Sequence, residues 1–179
     1  MQTSRSAIDM DHPSRWLALL RIVVGVYFGK AIWTKMTIAL AGGIVPYPAV
    51  QQRWIEVMPK IVAKQASENP ILFYKSFLEQ TVLNHAEVFA KLTAWGEVAV
   101  GVGLTLGLCT GVAALAGLWL SLNYGLATQW QSAGQQGFHL LLVTSMLIFF
   151  LARAGRAWGL DGWLARRYGD RWFTRRPFS

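Results

Sequence analysis

Four polar residues stand where polar residues are costly. Lys30, Glu97, Asn123 and His139 each interrupt a long apolar run. Between Glu97 and Arg153 there is no Asp, Glu, Lys or Arg for 55 residues. An ionisable group inside such a block is a functional-site candidate by default, because it must be paired, solvated or neutralised. Glu97 is the centre of this set. Lys30 offers it a cation at matching depth, and Arg21 offers one on a different face. A charged Glu97–Lys30 pair and a neutral, protonated Glu97 are both compatible with a low-dielectric setting. Lys30 fits the bundle interior or a side chain that snorkels to the interface equally well, and Lys35 is expected to reach the outer interface. His139 reads more readily as an interhelical hydrogen-bonder than as a proton carrier, and Asn123 as interhelical glue. No second His or Cys lies at ligand spacing, so no metal is assigned. The lone Cys109 gives neither a CxxC redox pair nor a haem-attachment motif.

The elements that must position these groups are membrane helices. The chain has 179 residues, is 54% hydrophobic and has nine Trp, which favour membrane interfaces. Its apolar runs are too long for a soluble core. Spans are expected at about 16–36, 90–108, 111–128 and 138–153, with Gly107–Gly111 turning the middle hairpin. The first run is not read as a signal peptide, since it contains Arg21 and Lys30 and lacks a small-residue cleavage site. At about 1.5 Å of rise per residue, Lys30 lies about 20 Å from the inner boundary, Glu97 about 18 Å, and Asn123 and His139 about 18–21 Å. All four spans thus contribute a polar group at one level. Arg21 lies lower, about 6 Å in, on a face shared with Gly25, Phe28, Ile32 and Lys35.

Residues 37–89 form an insert. Its opening stretch, Ala41-Gly-Gly-Ile-Val-Pro-Tyr-Pro48, reads as a helix break. The remainder carries mixed charge and reads as two short amphipathic helices, either packing elements or a lid. Asn69-Pro70 is expected to start the second, with Ile71, Tyr74, Leu78 and Val82 at helical spacing. The fold class is therefore all-α: an integral membrane four-helix bundle with a long extracytoplasmic helical insert between spans one and two. The net charge of +8 is concentrated in the basic tail, 154–179; from Arg153 onward seven Arg face two Asp. That is a positive-inside signal that places both termini in the cytoplasm, rather than a nucleic-acid surface.

Arg21-x3-Gly25-x2-Phe28-x6-Lys35, the Gly96-Glu97 that opens a Gly-rich span, and Trp158-Gly-Leu-Asp161 before a basic tail together resemble the DoxX/DoxD family. The long insert is more similar to the DoxD branch, the small subunit of thiosulfate:quinone oxidoreductase. Gly111 departs from the pattern, near where relatives often carry Arg. The resemblance implies a membrane redox component of a bacterial or archaeal cell membrane that passes electrons to quinone. On that reading Lys30, His139 and Asn123 donate hydrogen bonds to the head group and Glu97 relays protons. Trp33 or Trp95 line the ring, and Arg21 joins the binding set. A redox partner subunit or a bound cofactor would have to carry the electrons. Membrane lipid is the solvent, and homo-oligomerisation stays open. Two alternatives remain: a non-catalytic anchor or assembly subunit of a redox complex, and a small-solute transporter.

Overall fold

A computed structural model describes residues 13–169 and 171–179. Four helical segments are long and apolar enough to cross a membrane: Pro13–Thr34, Ala86–Leu106, Thr110–Thr128 and Ala133–Leu151. The first consists of α1 (Pro13–Gly29) and α2 (Ala31–Thr34), joined through Lys30. After it come the strands β1 (Met36–Ala41) and β2 (Val45–Val50), then α3 (Gln52–Glu68) and α4 (Leu72–Phe77). The chain continues with α4 running into a π-helical turn, Leu78–Val82, before α5 (Ala86–Leu106), α6 (Thr110–Thr128) and α7 (Ala133–Leu151). The segment after α7 holds α8 (Leu160–Tyr168) between two short 3-10 turns.

Small residues set how closely the helices pack. A Cβ on Gly25 would lie 2.5 Å from the Thr105 backbone nitrogen, and one on Gly101 would collide with the backbone of Gly29. α1 and α5 therefore run antiparallel with their backbones touching, a packing that side chains of ordinary size forbid. Extending those pairs by one turn puts residue 33 level with Glu97. Phe28, Val100, Leu104, Ala114, Leu142, Met146 and Phe149, drawn from all four spans, fill the space between. Outward-facing Val23, Leu92, Leu140 and Leu141 are more than half exposed, which suits contact with acyl chains. At the α5–α6 turn, Gly107 takes a left-handed conformation at φ 64° and ends α5.

Two expectations need correction, and the tail adds a finding that the sequence reading did not address. The stretch after the first span is not a helical break but an antiparallel hairpin, with Met36 opposite Val50 and Ala41 opposite Val45. Gly42 and Gly43 both have positive φ, as a tight hairpin turn requires, and Ile44 N–H donates to Ala41 C=O. Pro46 and Pro48 are tolerated because they lie two residues apart on a two-stranded ladder, where alternate N–H groups point away from the partner. The class is thus helical with one hairpin rather than purely α. The fourth membrane helix begins earlier than 138, at Ala133. Ser132 caps it by accepting from Gln135 N–H, so residues 133–137, which fall between the expected third and fourth spans, belong to the helix. It ends at Leu151, before Arg153. The tail, finally, is folded. Thr174 and Ser179 are buried, and Gly111 N–H donates to Phe178 C=O. A side chain on Gly111 would strike Pro177, so the space for an arginine there is taken.

The insert helices pack on the bundle. Met58, Val62 and Ala66 of α3 and Tyr74, Leu78 and Val82 beyond it form a second apolar core with Ala90 of α5 and Ala127 of α6. The 71–82 helical face is therefore as expected, although its start is displaced. Asn69 precedes α4 by three residues; its Oδ1 accepts from Ile71 N–H, and its Nδ2 donates to Leu126 C=O of α6. Asn69 is a staple between insert and bundle rather than a helix cap.

Candidate functional site

The buried charge of the bundle is paired, but with a different lysine from the one expected. Lys35 Nζ lies 2.7 Å from Glu97 Oε2, with the two side chains 14% and 11% exposed. Tyr124 of α6 donates its hydroxyl to the other carboxylate oxygen at 2.6 Å. Glu97 thus accepts a charge-assisted bond on each oxygen, the arrangement that makes a buried carboxylate tolerable. Lys35 has a second restraint. Its ammonium sits 3.9 Å from the centre of the Trp54 ring, and Trp54 is anchored by its indole N–H to Ala90 C=O at 3.0 Å. Lys35 is also the root of the hairpin. Its carbonyl accepts from Gln51 N–H at 2.8 Å, and Gln51 Nε2 donates to Met36 C=O at 2.6 Å.

The α1–α5 register explains the choice of lysine. Level with Glu97 at residue 33, Lys30 and Lys35 are nearly equidistant along the axis. Lys35 continues the face of Arg21, Gly25 and Phe28, all buried against the bundle. Lys30 is exposed and turns away, resting 4.0 Å from the centre of the Tyr27 ring. Face decided the partner; depth alone does not discriminate within a turn.

Glu97 and Tyr124 form part of the wall of a cavity of about 620 Å³ between α1, α3, α6 and α7. Tyr27, Phe28 and Phe138 give it aromatic sides, and Lys30, Thr128 and His139 are among its other polar lining, with Gln65, Ser132 and Gln135. His139 is buried, with Nε2 2.8 Å from the Thr128 hydroxyl oxygen. That hydroxyl has one hydrogen and gives it to Tyr124 C=O at 2.8 Å. Nε2 therefore carries the imidazole proton and donates to Thr128. Nδ1 is left as an acceptor, and it is buried without a hydrogen-bond partner among the described residues. A second cavity of about 260 Å³ lies beneath the insert and includes Trp54, Tyr74, Phe77 and Asn123. Gln65, Tyr124 and Ala127 line both cavities, so the Tyr124 ring belongs to the partition between them. In the second cavity, Tyr74 donates its hydroxyl to Asn123 C=O at 2.9 Å, and burial pushes its phenol up to about 12.

The structure thus brings Glu97, Lys30 and His139 to one cavity and separates the other expected residues from it. Asn123 lies in the second cavity, where its Nδ2 donates to Trp119 C=O within α6. Trp33 is 75% exposed and Trp95 44% exposed, and neither lines a cavity described here. Arg21 is at the opposite end of the bundle, fully buried, donating from Nη2 to Trp158 C=O at 3.1 Å. Across the adjoining loop Asp161 accepts from the Cys109 and Thr110 amides at 2.8 and 2.9 Å. Three residues escaped the sequence reading: Lys35 as ion-pair partner, Tyr124 as second donor and Trp54 as the ring beneath the ammonium. The sequence already places Lys35 on the Arg21 face, but its side chain is expected at the outer interface rather than at Glu97. No spacing signal links Trp54 to Lys35, since their contact depends on the hairpin.

A family model described as TQO small subunit DoxD matches residues 16–174. No solved structure matches the chain. With nearly the whole chain covered, the protein belongs to the DoxD family, and its four apolar helices make it an integral membrane protein.

Proposed function

We propose that this DoxD-family chain is the membrane subunit of a quinone-linked oxidoreductase that oxidises thiosulfate or a related sulfur compound. The observation that carries the reading is the cavity where a paired Glu97, a Tyr124 hydroxyl and the His139 side chain meet aromatic walls. Its volume of about 620 Å³ is in the range of small-molecule sites, roughly 300–1,000 Å³. A quinone supplies two-electron redox chemistry coupled to uptake of two protons. Its ring fits between Tyr27, Phe28 and Phe138, and its polar edge fits the donors of the cavity. Lys30 donates at the rim. Tyr124 and Glu97 already share a hydrogen, so a proton can be held at Glu97 while Lys35 limits the cost of the charge left when it departs.

Glu, Lys, His and Tyr side chains manage protons here, and a larger partner subunit supplies the electrons. The basic tail faces the cytoplasm by the positive-inside rule, which puts the insert and this cavity toward the other face. The test is quinone reduction by membranes given thiosulfate or sulfide, comparing wild type with Glu97→Gln at matched abundance. The expected loss is about a hundredfold. An undiminished rate in the variant would sink the role of Glu97, and a rate absent from wild type with its partner present would leave the bundle as an anchor.

A further inference from the structure

The cavity of about 260 Å³ beneath the insert differs in chemistry from its larger neighbour. Met58, Val62, Phe77, Leu78, Val82 and Phe89 give it apolar walls drawn from α3, α4, the turn after it and α5. Its polar neighbours are already engaged: Trp54, Tyr74, Thr93 and Asn123 each donate from the side chain to a backbone carbonyl. What such a space offers an occupant is apolar contact. Part of its wall is the π-helical turn Leu78–Val82, a departure from α-geometry that is frequent at functional sites.

The two cavities open in different directions. The first is bordered by exposed Lys30, Ser132 and Gln135, a polar mouth. On its α1–α7 side the Tyr27 and Phe138 rings meet edge to face, with 5.5 Å between centroids. Of the described residues around the second, Ile61 and Trp119 are the exposed ones, at 42% and 68%, so its mouth is apolar. Trp119 is nine residues beyond the start of α6, about 14 Å along a helix that rises about 1.5 Å per residue. That depth is near the middle of a hydrocarbon core about 30 Å thick. Gln65, Tyr124 and Ala127 line both spaces, and Ala127 adds only a methyl group to the shared wall. A polar ring with a hydrocarbon tail fits this pair, the ring in the polar-mouthed space and the tail in the apolar one. We propose that the cavity beneath the insert holds the hydrocarbon tail of the quinone, which passes Ala127 and leaves to the bilayer between Ile61 and Trp119. Resting on the quinone reading of the first cavity, this makes the substrate a long-tailed quinone rather than a tailless one.

Native mass spectrometry of the full chain in detergent tests this, with titrations of a benzoquinone carrying two isoprenoid units and of the same ring without a tail. The tailed quinone is expected to bind in preference. Thr93→Phe, which puts a ring into the cavity, should weaken the tailed quinone at least about tenfold and leave the tailless one unchanged. Ile61 is exposed, so Ile61→Trp at the mouth preserves the fold and should give the same selective loss, about threefold. Leu92→Phe, on the outward face of α5, should change neither. A loss shared equally by both quinones, or no loss, in the two cavity variants overturns the tail site but not the ring site. If neither quinone binds the wild type, the quinone reading falls and the tail site with it. Binding of phosphatidylglycerol that Thr93→Phe abolishes, with the tailed quinone unaffected, would assign the cavity to a lipid acyl chain and overturn the quinone tail.

Discussion

Glu97 and Asp161 are both buried, 8% and 2% exposed, at opposite ends of the same bundle. Asp161 is held by backbone amides at the start of α6, which cannot turn away without unwinding the helix. Glu97 is held by the ends of two side chains, a lysine ammonium and a tyrosine hydroxyl, and borders a cavity. Fixed donors make a carboxylate part of the architecture. Rotatable donors beside open space let one gain and lose partners, which is what proton handling requires. One fold thus buries two acids, one among fixed donors and one among rotatable donors beside a cavity.

The comparison breaks most visibly at Asp161. Asp161→Ala strips two amides of their acceptor and removes the carboxylate that acts through space on buried Arg21. A loss of about 3–5 kcal/mol is expected, read as a fall in membrane abundance and in melting temperature in detergent. Lys35→Met comes next, at about 2–3 kcal/mol, because Glu97 keeps Tyr124 and has a cavity beside it. The double variant Lys35→Met/Glu97→Leu should recover part of that stability, measured in the same melts, and stay inactive. Tyr124→Phe removes one hydrogen bond and should cost about 1 kcal/mol in the melt; if Asp161→Ala cost no more than this, the distinction between fixed and rotatable donors would fail.

The smallest effect is at Tyr74, whose folded value of about 12 stands above the ordinary 10.0. Below pH 10 the phenol is protonated in folded and unfolded chains alike, and its contribution is fully present. As pH rises toward 12 the unfolded chain ionises first, so stability is lost across that window. Tyr74→Phe should flatten the loss in an alkaline melting series.

Much of this was readable in the residues, and the misses have physical causes. The four membrane helices follow from apolar length, and the α5–α6 turn from Gly107. Glu97 stood out because nothing charged follows it for so long. The hairpin did not, because Pro46 and Pro48 were read as helix breakers; Gly42-Gly43 between two apolar runs was the signal that outranked them. Lys30 was weighed against Arg21 on depth, a ruler that is too coarse within one turn, while Lys35, on the Arg21 face and nearer to Glu97, was assigned to the outer interface. Arg21 shares that face, but it lies several turns away along α1 and serves the opposite end. Trp54 and Tyr124 are separated from Lys35 by 19 and 89 positions, and only tertiary packing brings them together.

Because the Lys35 carbonyl closes the hairpin against Gln51 while its ammonium closes on Glu97, one residue is both hinge pin and counter-ion. The hairpin tip projects freely, with Ile38 and Ile44 more than 70% exposed. The anchorage of the hairpin and the neutralisation of the buried acid therefore meet in one residue, and a displacement of Lys35 alters both.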